Sequence, residues 1–394
     1  MCGITGFISF QGHDPSSARS RVRGMAEVLA HRGPDEEGVY ADEKAALGHR
    51  RLAILELTRQ GDQPMISADG QVGLVYNGEI YNHQELRTEL EMHGYRFAGR
   101  SDTEVVLDAL HFWGKDAISR FNGMFAFAAW FSGGEKLLLA RDRYGVKPLY
   151  YMPGRDCFLF GSEIAAIRMH PGFKTGLSED ALIEYFTFQN IFSDATFFEG
   201  VHLLPAGHYL EVSTANRNAE PVCYWDFRFS PVKMDMQEAS EELQRLFEKA
   251  VSRQLVADVE VGAYLSGGMD SGGITCVASR QIPDMKSFTA GFDLSSASGL
   301  ELSFDERERS EYLSNLYKTE HYEIVLKSGD MERVMPSLIT RLEDPRVGQS
   351  YPNYYVARLA ARFVKVCLSG AGGDELFAGY PWRYYHGRGT SDQD

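Results

Sequence analysis

The chain has few cysteines and no pattern among them. Five are scattered over 394 residues, at positions 2, 157, 223, 276 and 367. No two form a CxxC pair and no disulfide framework emerges, so a reducing, cytoplasmic setting is expected. Positive charge is also short. The 40 Lys and Arg against 55 Asp and Glu leave a formal net charge of -15. That balance argues against nucleic acid and anionic membrane as partners, because phosphate binding needs a basic face. Long apolar runs are missing as well. The most apolar stretch, Phe121–Phe131, is far below the ~20 residues a membrane-spanning helix needs. The start lacks the basic and apolar regions of a signal peptide. Neither an internal repeat nor a low-complexity segment is found.

What is there indicates two domains, since 394 residues exceed one ordinary core. Residues up to about 210 read as β-rich. Apolar and aromatic runs at Ile4–Phe10, Val72–Tyr76, Phe125–Trp130, Lys136–Ala140 and Cys157–Phe160 predict strands. Amphipathic spacing predicts helices over Ala18–Ala30 and Thr103–Trp113. Residues 212–235 carry turn formers and little period, so they read as a linker between domains spanning 2–211 and 236–394. Asp235 with Glu238 forms a capping box before a helix whose face carries Leu243, Leu246, Phe247, Ala250 and Val251. Predicted strands Val259–Leu265, Ser287–Phe292, His321–Val325 and Val364–Leu368 then alternate with helices Ile274–Arg280, Glu306–Tyr317, Met331–Leu342 and Asn353–Phe363. That rhythm predicts a doubly wound parallel sheet, with ligands beyond the carboxyl ends of its strands.

Two constellations carry chemistry. The chain opens Met1-Cys2-Gly3, so loss of Met1 would leave a thiol and a free α-amine on one residue. Such a residue holds both a nucleophile and a base. Arg51, in a His49-Arg50-Arg51 segment beside a strand, offers a fork for a carboxylate. Asn77 and Gly78 offer a side-chain amide and a backbone N–H for an oxyanion. Asp102 reads as a helix N-cap placed to meet an ammonium. Together these describe glutamine hydrolysis, although each alone also fits a salt bridge, a hairpin turn or a simple cap. In the second half, a strand runs into Ser266-Gly267-Gly268-Met269-Asp270-Ser271. Its glycines and helix N-terminus suit a bound anion. No Gly-Lys-Ser/Thr follows, so it is not a Walker A loop. The order is that of a pyrophosphate loop, with Asp270 available to a Mg²⁺.

The chain resembles glutamine-hydrolysing asparagine synthetase of the bacterial type along nearly its whole length. The matching segments include His31-Arg32-Gly33-Pro34-Asp35, Tyr76-Asn77-Gly78-Glu79-Ile80-Tyr81-Asn82 and Phe121-Asn122-Gly123-Met124-Phe125-Ala126. They also include Arg141-Asp142-Arg143, Lys147-Pro148-Leu149-Tyr150, Gly161-Ser162-Glu163, Leu368-Ser369-Gly370 and Gly373-Asp374-Glu375. The resemblance implies an αββα N-terminal-nucleophile glutaminase domain and a C-terminal domain of adenine-nucleotide α-hydrolase type. It implies Cys2 as the nucleophile and Arg51, Leu52, Ala53, Ile54, Leu55, Asn77, Gly78, Glu79 and Asp102 as the glutamine-binding set. It implies ATP at Leu265, Ser266, Gly267, Gly268, Asp270, Ser271, Ala290, Ser369 and Gly370, with Asp374 a second carboxylate beside Mg²⁺. The implied substrates are glutamine, aspartate and ATP. An internal passage for ammonia is expected, and the Phe121–Phe131 run is read as a core strand before a passage wall. A homodimer is left open.

Two departures qualify the resemblance. Position 371 is Ala, where some relatives carry an acidic residue, so another group acts as base or the acceptor differs. The chain also ends at Asp394, soon after the fourth predicted strand, with a polar tail His386–Asp394 that reads as disordered. The synthetase half is therefore expected to be incomplete, which makes glutamine hydrolysis alone an alternative. A related enzyme acting on another carboxylate and a non-catalytic binding protein are the remaining alternatives.

Overall fold

Strand β1 (Gly3–Ser9) sets the plan of the first half. Ile4 and Ile8 face one core and Phe7 faces another, the period of two that a strand imposes. β1 pairs antiparallel with β3 (Ala45–Arg51) on one side and β9 (Cys157–Gly161) on the other. With β2 (Glu36–Ala41), β8 (Tyr150–Pro153) and β10 (His202–Leu203) they make a six-stranded sheet ordered β10-β8-β9-β1-β3-β2. A second antiparallel sheet is ordered β12-β11-β7-β6-β5-β4. Its strands are β4 (Met65–Ile66), β5 (Val72–Ile80), β6 (Gly123–Phe131), β7 (Lys136–Arg141), β11 (His208–Ser213) and β12 (Val222–Cys223).

The two sheets stack on a core of Ile4, Ile8, Leu47, Val75, Ala126, Ala128, Trp130, Leu139 and Phe160. The outer face of the first sheet packs Phe7, Ala46 and Leu159 against α1 (Pro15–Glu27) and α4 (Ile164–Arg168). The outer face of the second packs Tyr76, Phe125 and Phe127 against α2 (His83–Met92) and α3 (Asp102–Trp113). This is an αββα sandwich. It explains the run Phe121–Phe131: both faces of β6 are buried, so polar alternation is absent. A fifth helix, α5 (Glu179–Phe188), follows β9.

The computed structural model describes residues 1–217, 219–295, 305–343 and 350–380. Contacts divide the chain into two compact units, the first made of Met1–Lys233 with Ile339–Val347 and the second of Met234–Leu338 with Gly348–Asp394. Val212 and Ser213 still belong to β11, and Val222–Cys223 pairs with it, so sheet structure continues into the segment read as a linker.

The second unit opens with α6 (Met236–Arg253), whose capping box between Asp235 and Glu238 is formed. Then follow β13 (Val261–Tyr264), α7 (Met269–Ser279), β14 (Lys286–Phe292), α8 (Arg307–Tyr317) and β15 (Glu320–Leu326). α9 (Asp330–Leu342), α10 (Ser350–Ala360), β16 (Val366–Leu368) and α11 (Gly373–Phe377) complete the described elements. The sheet is parallel, ordered β15-β14-β13-β16. One face packs Val261, Ala263 and Leu368 with Val251 and Val277, and the other packs Phe288 with Ala360 and Val364. Helices therefore cover both faces, as the doubly wound reading requires. α7 starts five residues before the predicted Ile274, because Gly268 already serves as its N-cap. The tail His386–Asp394 lies outside the described residues.

Candidate functional site

Cys2 sits at the foot of β1. Gly3 pairs with Arg50, which brings Cys2 beside the end of β3. The Leu52 amide donates to the Cys2 sulfur at 3.4 Å, and that sulfur lies 3.8 Å from the Leu52 carbonyl. Arg32 fixes the backbone: its Nε donates to the Cys2 carbonyl at 3.0 Å while Nη1 reaches Glu163 at 2.9 Å. Burial pushes the thiol above its ordinary range, and the Leu52 amide, the terminal amine, Lys147 and Arg51 pull it back. The terminal amine, carried here by Met1, is lowered to about 6, chiefly by burial, with Cys2 opposing. A base of that strength is neutral, and so able to take a proton, at pH 7.

Arg51 ends β3 and is buried, at 4 % exposure. Its Nη1 donates to the Thr58 carbonyl at 2.9 Å and to Asp62 at 2.8 Å, and its Nη2 to the Glu56 carbonyl. The fork thus closes the loop after β3, which holds Leu52, Ala53, Ile54 and Leu55. A Cβ on Gly61 would stand 2.0 Å from Arg51 Nη2, so this loop needs glycine there. Ala53 N–H is tied to Asp35 at 2.8 Å.

Asn77, Gly78 and Glu79 lie in β5. The Asn77 side chain is buried, and its Nδ2 has no partner among the described residues. A buried unpaired donor is costly, so such a group in a native fold needs an explanation. Gly78 has a separate structural reason: a Cβ there would meet the Met124 carbonyl oxygen at 2.4 Å. The Glu79 carboxyl is raised to about 7 by burial and then Asp102, against Lys147 and the terminal amine. Its Oε1 is buried and also lacks a partner among the described residues.

Asp102 corrects the sequence reading in one respect. Ser101 is the N-cap of α3, accepting from Glu104 N–H, and Asp102 is the first helical residue. Either residue type can cap, but Ser101 has the extended backbone of an N-cap and its hydroxyl meets the Glu104 N–H, while the helix already begins at Asp102. Asp102 is thereby released to accept from Tyr76 OH at 2.8 Å and Ile80 N–H at 3.0 Å. Lys147 was quoted in the sequence only as part of a matching segment. Its charge contributes to the shifts of Cys2, Glu79 and the terminal amine, and burial lowers its own ammonium. No periodicity could have flagged it, because a lysine after a turn usually faces water.

The second constellation forms at the carboxyl ends of β16, β13 and β14. Leu265 is buried at the end of β13, its N–H donating to the Phe288 carbonyl at 2.9 Å. Thr289 Oγ1 donates to the Leu265 carbonyl, beside Ala290 in β14. The loop closes on itself: Ser266 and Ser271 share a hydrogen bond at 2.8 Å, and Gly268 N–H donates to Ser266 Oγ at 3.2 Å. Ser369 and Gly370 follow β16, and a Cβ on Gly370 would come within 3.0 Å of Ser271 N. Gly267 lies against Arg309 of α8, and a cavity of about 450 Å³ opens there. The Asp270 carboxyl is raised, first by burial and then by Asp374, so these two carboxylates repel when both are charged. Among the described residues no cluster of three or more His, Cys, Asp or Glu suits a metal. A pair of hard carboxylates does suit Mg²⁺, which takes its other oxygens from phosphate and water.

A family profile described as a glutamine amidotransferase domain matches residues 1–225, and one described as asparagine synthase matches residues 242–394. Glutamine-hydrolysing asparagine synthetase 1 of Bacillus subtilis (strain 168) is 32% identical over 96% of this chain and 59% of that protein. A relative in Methanocaldococcus jannaschii is 33% identical over 96% of this chain and 76% of its own length. Among solved structures, a glutamine phosphoribosylpyrophosphate amidotransferase from B. subtilis is similar at 16% identity and a TM-score of 0.42, over 82% of this chain and 65% of that one. The sandwich and the two profiles define a glutamine amidotransferase unit followed by an asparagine synthase unit. The chain belongs to the glutamine-hydrolysing asparagine synthetase family. It spans about three-fifths of the length of the first of these relatives.

Proposed function

We propose that the chain hydrolyses glutamine at Cys2 and directs the ammonia to aspartate activated by ATP, forming asparagine, AMP and pyrophosphate in the cytoplasm. With Met1 removed, the Cys2 amine takes the thiol proton as the sulfur attacks the glutamine side-chain carbonyl. The Asn77 Nδ2 donor and the Gly78 N–H serve the oxyanion. The carbon–nitrogen bond then breaks, the amine returns the proton, and ammonia leaves a thioester on Cys2. Water attacks the thioester, the carbon–sulfur bond breaks, and glutamate departs with the thiol restored. Asp102 receives the glutamine ammonium. Arg51 acts as the carboxylate reader by ordering the Leu52–Leu55 loop as well as by its charge.

In the second unit, Leu265, Ala290, Ser369 and Gly370 hold the nucleotide, and Ser266–Ser271 hold the pyrophosphate. The aspartate side-chain carboxylate attacks the α-phosphorus and pyrophosphate leaves. Ammonia then attacks the acyl-AMP, and AMP leaves with the oxygen. A Mg²⁺ held by Asp270 and Asp374 would neutralise phosphate charge.

The observation that carries this reading is the seat of the Cys2 sulfur, which accepts the Leu52 N–H at 3.4 Å where β1 meets the end of β3. The test supplies protein with glutamine, ATP, Mg²⁺ and aspartate, and reads products by mass spectrometry. Glutamate, AMP and asparagine are expected; no glutamate refutes the reading. One observation favours a second reading. Ala371 N–H caps back to Ser369 Oγ at 3.2 Å, and the alanine offers no base at that turn. An acceptor carboxylate other than aspartate would appear as glutamate and AMP without asparagine.

A further inference from the structure

The start of β1 is held from two sides. On one side is β3. On the other, β9 runs past its last paired residue into Ser162 and Glu163. The Ser162 N–H donates to the Ile4 carbonyl at 2.8 Å, and the Ile4 N–H donates to Ser162 Oγ at 3.0 Å. Glu163 keeps an extended backbone, φ -139 and ψ 149, before α4 begins at Ile164. The Ile164 N–H donates to Glu343 Oε2 at 2.6 Å, and Glu343 lies in the stretch Ile339–Val347 that belongs to the first unit. The main chain on both sides of Glu163 is thus tied down, beside the first residues of β1. A carboxylate on such a frame is a fixed point.

That carboxylate grips two residues adjacent in sequence. Its Oε1 accepts from Arg32 Nη1 at 2.9 Å and lies 2.9 Å from His31 Nε2. The Arg32 side chain is only 9 % exposed, and that of Glu163 12 %. Arg32 Nε donates to the Cys2 carbonyl at 3.0 Å, and its Nη2 is buried with no partner among the described residues. Two groups therefore hold the guanidinium: the nucleophile's own carbonyl and Glu163. A guanidinium is a rigid plane, so fixing Nη1 fixes where Nε points. Without its carboxylate, a buried cation must move toward water or stay uncompensated. In either case the bond to the Cys2 carbonyl depends on Glu163. The sulfur itself sits on the residue whose carbonyl is held in this way.

We propose that Glu163 is a further positioning residue of the glutaminase centre: its carboxylate holds Arg32, and Arg32 holds the Cys2 carbonyl, so that the main chain carrying the sulfur keeps its attacking position. Glu163 acts through Arg32 and moves no proton. The role rests on the glutaminase reading given above.

The test is a double-mutant cycle on the full chain, read as glutamate release from glutamine. Glu163→Ala should lower kcat by about tenfold or more while KM for glutamine stays within about twofold, because the nucleophile is misplaced and the substrate contacts are not. Glu163→Gln keeps an oxygen in the place of Oε1 and should fall between Ala and wild type. Arg32→Met should be at least as slow as Glu163→Ala. Since Glu163 acts through Arg32, adding Glu163→Ala to Arg32→Met should cost little more. Two effects that multiply in full, or Glu163→Ala at the wild-type kcat, overturn the proposal; a salt bridge serving the fold alone would give one or the other. A thermal melt of each variant ties the rates to folded protein. Should the Ala or Met variant fail to fold, Glu163→Gln and Arg32→Gln carry the same cycle. Wild-type protein that releases no glutamate refutes the glutaminase reading itself, whereas full multiplication in an active enzyme refutes the role of Glu163 alone.

Discussion

The Leu52 amide donates to the Cys2 sulfur across the foot of two paired strands, at 3.4 Å. That bond favours a charged sulfur, and it exists because the β1–β3 register, with Gly3 opposite Arg50, brings Cys2 to the end of β3 one residue short of Leu52. Replacing Cys2 by Ala should abolish glutamate release from glutamine, and Cys2→Ser should leave only a trace. Synthesis driven by added ammonium should survive in both variants. Glutamate release by Cys2→Ala at the wild-type rate would remove the nucleophile from its assigned role.

Much of the fold was legible in the sequence because its signals were local. The β6 run announced a strand buried on both faces, and the Asp235–Glu238 box announced α6. The alternation after Val259 announced the parallel sheet. β3 was harder: Ala45-Ala46-Leu47-Gly48-His49-Arg50-Arg51 lacks β-branched residues and ends in charge, and only pairing on both sides makes it a strand. The site divides in the same way. Cys2, Asn77 and the glycine loop stand out by residue type. What Arg51 binds depends on how the loop after β3 folds back on it, and whether Ser101 or Asp102 caps α3 on the backbone of that one turn, and residue type alone records neither.

Glu79 predicts a pH effect on stability. Its carboxyl titrates at about 7 in the folded protein, against an ordinary value of 4.5. The folded state therefore holds this proton more tightly than the unfolded state. The resulting stability is present below about pH 4.5 and is lost as pH rises through 7, at most on the order of 3 kcal/mol for a shift of that size. Glu79→Gln lacks this dependence. Urea midpoints measured from pH 4.5 to 8 should show wild type losing stability relative to the variant, and parallel curves would contradict the assignment.

Gly373 tests the nucleotide half without touching the thiol. A Cβ at this position would lie 2.2 Å from Asp270 Oδ2, so Gly373→Ala must move that carboxylate. The expected result is at least about a tenfold rise in the KM for ATP, of the size one displaced charged ligand produces. Glutamate release without ATP should be unchanged. Normal ATP use by this variant would detach Asp270 from the nucleotide site.

Asn77 separates function from stability. Its Nδ2 is buried without a described partner, and an unmet buried donor costs about 1–3 kcal/mol in the folded state. If the donor serves only the fold, removing Asn77 should bring no loss of turnover. If it is kept for an oxyanion, Asn77→Ala should lower kcat for glutamate release by about 10²–10³ while KM for glutamine moves little. The melting temperature should hold or rise, because the variant no longer buries an unsatisfied amide. Steady-state kinetics and a thermal melt on the same preparation decide the matter. A variant that loses stability yet keeps its turnover would assign Asn77 to the sandwich and leave the oxyanion to the backbone alone.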